Sequence, residues 1–116
     1  MIYDINTVPE YTSVWCAGFR FDDTKAGIKC EPVFGTFEER NCYSKFHVLS
    51  GKTRSRTFSV GANPDCYRFA DTYEEAASEY NKMVFAAKYE LMKRQLYLDR
   101  CLLADKNGSV YGFVSM

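Results

Sequence analysis

The side chains able to do chemistry in this sequence are few and scattered. A single histidine, His47, follows Cys42 by five residues, and the other cysteines stand at 16, 30, 66 and 101. A Cys/His couple works only when nucleophile and base touch, a third group orients the imidazole, and donors await the oxyanion. No acid lies close to His47 in sequence, so it reads as an exposed strand histidine. Five is an odd number of cysteines, and none forms a C-x-x-C pair, which argues against both a disulfide framework and a zinc site. Several lie inside apolar runs, and the ordinary reading is buried, reduced thiols acting as small hydrophobes. The doublets Asp22-Asp23 and Glu38-Glu39 fall where strands end, a common place for turn and gatekeeper charges. The glycines form no phosphate-binding G-x-G-x-x-G or G-x-x-x-x-G-K run. The expectation is a protein that is not an enzyme and has no cofactor or metal.

Charge gives a second kind of candidate. From Asn41 to Ala70 five Lys/Arg stand against one acid, Asp65. If Ser50-Gly51 is a two-residue hairpin turn, Lys52 pairs with Leu49, Arg54 with His47 and Arg56 with Lys45. Period-2 alternation then places Lys45, His47, Lys52, Arg54 and Arg56 on one face. Like charges facing one another cost stability, so such a face is either well solvated or meets an anion, RNA or single-stranded DNA included. The reading depends on register, because a shift of one residue splits the charges between faces.

The third candidate is a helix. Asp71-Thr72-Tyr73-Glu74-Glu75 offers a cap at Asp71 or Thr72 with a glutamate three residues later in either register. No Gly or Pro follows until Gly108, so a helix is predicted from Thr72 to about Ala104, roughly 50 Å at 1.5 Å per residue. Tyr73, Ala77, Tyr80, Val84, Ala87, Leu91, Leu98 and Cys101 form an apolar stripe, interrupted at Arg94, that would pack on a sheet. A second stripe, Phe85, Tyr89, Met92, Leu96 and Leu103, begins halfway and is set apart by Lys88, Gln95 and Asp99. A segment apolar on two sides needs cover on both. Cover for the second stripe would come from the chain's own Val110–Val114 segment, from a curling sheet, or from a partner.

These candidates need a scaffold, and residues 1–70 read as strands. Ser13–Asp22 alternates, with Trp15, Ala17, Phe19 and Phe21 opposite Val14, Cys16, Gly18 and Arg20. After a turn at Asp22–Gly27 comes a second strand, Ile28–Phe37, expected to be an edge or bulged near Pro32 and Gly35. Tyr43–Leu49 and Thr53–Val60 make another hairpin, Gly61–Asp65 a loop and Cys66–Phe69 a short strand. The expected fold is α+β in one domain, 1–116. A small twisted antiparallel sheet or SH3-like barrel of four to five strands is followed by one long C-terminal helix, with a last strand at 109–115.

Composition agrees with an ordinary folded domain. Of 116 residues 47% are apolar and 16% aromatic, and fifteen Lys/Arg balance fifteen Asp/Glu. No global field draws the chain to nucleic acid or an anionic membrane. The longest stretch without charge, Asn107–Met116, is about half a membrane span. Met1–Glu10 carries Asp4 and no apolar core of a signal peptide. A cytoplasmic protein with no membrane partner is expected. The leading functional expectation is a non-enzymatic protein-binding module, binding another protein or itself as a homodimer. It would act through Phe85, Tyr89, Met92 and Leu96 and the adjoining sheet edge. Small neutral proteins of this kind are common among phage and mobile-element inhibitors and adaptors. The alternative is a nucleic-acid-binding small barrel that uses the basic hairpin.

Overall fold

The structure is a computed structural model that describes residues 1–22 and 27–112. It forms two compact units, Met1–Phe85 and Ala86–Met116. The first unit holds a six-stranded antiparallel sheet. Its strands are β1 (Ile2–Tyr3), β2 (Thr12–Arg20), β3 (Ile28–Phe37), β4 (Lys45–Ser50), β5 (Thr53–Ser59) and β6 (Tyr67–Ala70), in the order β1-β6-β2-β3-β4-β5. The sheet is open, so the SH3-like barrel is replaced by the twisted open sheet. β1 and β5 have no hydrogen-bonded pairing between them to close a ring.

The alternation in β2 sets two cores. Val14 and Cys16 point to one side, where they join Phe37, Phe46, Val48, Tyr67 and Phe69. Val8 and Val60, from the segments outside the strands, cover this face and are fully buried. Ring centroids of Phe37 and Phe69 lie 5.4 Å apart, and those of Phe46 and Phe58 5.6 Å. Offset and edge contacts of this kind suit the aromatic quadrupole. Trp15 and Ala17 point to the other side, against Ala70, Ala76 and Tyr80.

Two elements escaped the sequence reading. β1 is two residues long and pairs Ile2 with Ala70 and Tyr3 with Phe69, too short to show a period. A single 3-10 turn, Pro64–Cys66, precedes β6. Within β3 the pairing with β2 shifts register between Cys16 and Gly18, opposite Glu31-Pro32. β4 pairs only with Gly35–Phe37. The expected bulge and the expected edge are thus both present, in the first half of β3. The turn between β2 and β3 falls largely on residues 23–26, outside the described residues.

The helix α1 (Tyr73–Cys101) starts at a capping box. The Glu75 N–H donates to Thr72 Oγ1 at 3.2 Å, and the Thr72 hydroxyl donates to Glu75 Oε1 at 2.9 Å. Of the two caps expected, Thr72 is the one used. Helix and sheet meet in the first unit through Ala76 and two edge-on ring pairs. Tyr73 meets Trp15 at 5.2 Å and Tyr80 meets Phe19 at 5.8 Å.

Candidate functional site

Three places carry candidate functional side chains. The first is the later part of α1. Phe85 ends the first unit with 64% of its surface exposed. In the second unit Tyr89, Met92 and Leu96 are 56%, 50% and 48% exposed, and Tyr97, Leu98, Leu102 and Leu103 are also open. The first stripe, expected to pack along its whole length, does so only at its start. Ala77, Tyr80, Val84 and Ala87 are half-buried, whereas Leu91, Leu98 and Cys101 are exposed, and the buried helix residue, Ala76, lies beside the stripe rather than in it. At about 100° per residue, Lys88 borders the second stripe on one side and Lys93 and Arg100 on the other, with Asp99 beside them. Lys93 Nζ lies 5.3 Å from the centroid of the Tyr89 ring and 3.6 Å from Glu90 Oε1.

The chain after the helix turns back tightly. Asp105 Oδ1 accepts the N–H of Asn107 at 2.8 Å and that of Ser109 at 2.9 Å. Val110 bridges Ala104, and the Tyr111 N–H reaches the Leu103 carbonyl at 3.1 Å. This return engages residues 103–105, after the helix has ended at Cys101, three residues short of the Ala104 expected. Of the strand expected at 109–115, the described part, 109–112, makes only the bridge at Val110. Residues 113–116 lie outside the described residues.

The second place is the basic hairpin, and its register differs from the expected one. Ser50 pairs with Thr53, so the turn is Gly51-Lys52 rather than Ser50-Gly51. Gly51 has φ +66°, which an L side chain adopts with strain. A register shift between Val48 and Leu49 then pairs Leu49 with Arg54, Val48 with Arg56 and His47 with Thr57. Arg54 shares the face of Lys45 and His47, Arg56 lies on the opposite face, and Lys52 sits in the turn. Arg56 stands over the Phe58 ring at 5.8 Å. The five residues expected on one face are therefore divided.

His47 is buried rather than exposed. Its Nδ1 lies 2.7 Å from Thr57 Oγ1, and its Nε2 meets Glu38 Oε1. The Nδ1 is hydrogen-bonded, whereas Nε2 lies close to the Glu38 carboxylate without hydrogen-bond geometry. The acid that sequence proximity did not supply is Glu38, which the β3–β4 pairing brings alongside. Cys42 is exposed in the turn before β4, and its side chain is not among the partners of His47.

The third place was not visible in the sequence. Where β4 leaves β3, an open cleft of about 740 Å³ forms between the first half of β3 and β5. It is lined by Lys29, Cys30, Val33, Arg56, Phe58 and Tyr67, among others. Behind it lies Cys16, fully buried in the core cluster against which Cys30 packs, and the Cys30 thiol donates to the Glu31 carbonyl at 3.6 Å. The neighbouring Cys16 thiol, first, with the Arg56 charge and a backbone N–H from Gly18, draws the Cys30 thiol below its ordinary value, outweighing partial burial. Burial, first, and the neighbouring Cys30 thiol push Cys16 well above it. The expected set of buried thiols is thus mixed: Cys16 is buried, Cys30 and Cys66 half-buried, Cys42 and Cys101 exposed, and all five are free. The one advance signal was Pro32, which marks where the β3 edge opens.

No family model, curated protein or solved structure matches the chain. Among the described residues no group of three or more His, Cys, Asp or Glu is placed to hold a metal ion. No described helix is long and apolar enough to cross a membrane.

Proposed function

We propose that this chain is a non-enzymatic protein-binding module whose docking surface is the second apolar stripe of α1. One observation carries the reading: Tyr89, Met92 and Leu96, aligned on one helix face, are each about half exposed or more. Isolated apolar side chains on a surface are ordinary, but a continuous row is where partners bind. A groove or helix that receives such a row reads it at i, i+3 and i+7.

The occupant we favour is an amphipathic segment with acidic flanks. Lys88, Lys93 and Arg100 border the row, with Asp99 beside them and Glu90 paired to Lys93, so the border stays net cationic and a second copy would set like charge against like along the seam. Like charges across an interface cost affinity, and opposite ones steer association. A partner with Glu or Asp beside its apolar row meets both needs. The nucleic-acid reading of the hairpin is the weaker one, because Arg54 and Arg56 project to opposite faces.

The test uses two synthetic helical peptides with the same leucine row, one flanked by glutamate and one by lysine. Fluorescence anisotropy should show binding of the glutamate peptide alone, weakened by salt and lost in Met92→Glu/Leu96→Glu, with far-UV dichroism retained. Equal binding of both peptides, or binding that survives the double variant, overturns the reading. A wild-type dimer by sedimentation, dissolved by the same substitutions, assigns the row to a second copy instead. A monomeric wild type whose double variant is unfolded returns these residues to the core.

A further inference from the structure

We propose that Cys30 is a site of oxidation by hydroperoxides, and that Cys16 resolves the oxidised Cys30 to a Cys16–Cys30 disulfide. The first unit places two thiols of different access on one face of two paired strands. Cys30 lies on the wall of the open cleft, half-buried, whereas Cys16 is fully buried behind it. They come from neighbouring strands: Gly18 pairs with Cys30 and Cys16 with Val33, with the bulge between. The two-for-one count at the bulge keeps both side chains on the core face, where Cys30 packs against the cluster that holds Cys16. Neither cysteine is in a disulfide.

The surroundings of Cys30 favour the thiolate, the reactive form. The guanidinium of Arg56 lines the same cleft, and with the neighbouring Cys16 thiol and the Gly18 N–H it draws the Cys30 thiol below its ordinary value, although the protonated thiol donates to the Glu31 carbonyl at 3.6 Å. The second lining cation, Lys29, lies next to it in sequence and pairs loosely with Glu31 at 3.9 Å. Redox-responsive cysteines combine this thiolate character with access and a resolving partner. Cys42 and Cys101 have access, but neither lines the cleft.

The chemistry balances with one hydroperoxide, ROOH. The Cys30 thiolate attacks the terminal peroxide oxygen. An S–O bond forms, the O–O bond breaks, and RO⁻ leaves to take a proton from water. The Cys16 sulfur then attacks Cys30 sulfur, the S–O bond breaks and hydroxide leaves with the Cys16 proton as water. Two thiols and ROOH become one disulfide, ROH and water, the two electrons coming from the dithiol. The new bond, about 2 Å between the sulfurs, joins neighbouring strands that are already paired.

The experiment takes the reduced full chain with one equivalent of hydrogen peroxide, quenched with an alkylating agent and mapped by peptide mass spectrometry. The thiol count should fall from the five free cysteines by two, with a Cys16–Cys30 linked peptide as the main product. In Cys16→Ala a 1,3-dione should label Cys30 as the sulfenic acid. In Arg56→Ala the linked peptide should form several-fold more slowly. Oxidation that begins at Cys42 or Cys101 with Cys30 left alkylatable, or a disulfide joining Cys30 to any cysteine but Cys16, overturns the proposal. The wild-type map needs no variant and decides the matter even if Cys16→Ala does not fold.

Discussion

Thr57 bonds one nitrogen of His47 and Glu38 lies against the other, and neither is near it in sequence. Pairing of β4 with β3 and with β5 brings them in, so a residue expected to add charge to an open face is instead tied into the interior. Asp4 works in the opposite manner, through strictly local bonds. Its Oδ1 accepts the Asn6 N–H at 2.8 Å and the Thr7 N–H at 3.1 Å, and its carbonyl accepts the N–H of Val8 at 3.0 Å, so the turn delivers Val8 to the core. The backbone bond from Asn6, first, and those from Thr7 hold the carboxyl below its ordinary value of 3.8. A lowered folded pKa stabilises above the unfolded value and is lost as pH falls through the folded one. Asp4→Ala should therefore lose stability relative to wild type by a constant amount near neutral pH, and the gap should narrow below 3.8. Urea melts across that range check it; a gap that does not narrow means the carboxylate is not what holds the turn.

At the scale of elements, α1 is two different helices joined end to end. Its first three turns have partners on the sheet, Trp15, Ala17, Phe19 and Ala70, and the seam is lined with alanine so that helix and strands approach closely. Its later turns keep the same propensity and lose the burial. A helix this long, about 43 Å at 1.5 Å per residue, is continuous because no Gly or Pro interrupts it, not because it is packed throughout. Ala76→Leu forces extra volume into the seam and should cost about 1–3 kcal/mol. Leu98→Ala, on an exposed later turn of the first stripe, should change stability by less than about 0.5 kcal/mol. Comparable losses at both positions in thermal and urea melts would show that the stripe packs along its length after all.

For the molecule as a whole, stability resides in the first unit. Phe37, Phe46 and Phe69 are fully buried, and the Phe46 ring touches Phe58 at 5.6 Å and Phe69 at 6.0 Å. Phe46→Ala leaves a cavity among rings that cannot collapse easily and should cost about 3–5 kcal/mol, a large part of the stability of a domain this size. A loss under about 1 kcal/mol in a urea melt would place the centre of the core elsewhere. The second unit is by composition a surface: apolar and cationic side chains on a helix, closed by the Asp105 turn. The proposed binding row and the proposed oxidation site lie in different units, so each is tested by substitutions that leave the other's residues untouched.

Local pattern alone determined much of this protein. The alternation in Ser13–Asp22 separated Val14 and Cys16 from Trp15 and Ala17, the side chains that later enter two cores, because a strand's period is two whatever surrounds it. Thr72 and Glu75 announced the helix start, since a capping box closes within one turn. Pro32 and Gly35 marked a strand that departs from regular pairing. Tertiary structure decided what depends on partners far apart in the chain. The β4–β5 bulge moved Arg56 to the face opposite Arg54, and one extra residue in a ladder inverts every side chain beyond it. The burial of His47 followed from Glu38 and Thr57. Cys16 and Cys30 came to one face because β2 and β3 pair in one particular register, and no spacing rule contains that register. Periodicity also could not say where cover on α1 ends, for an apolar stripe looks the same whether a sheet or a partner is meant to bury it.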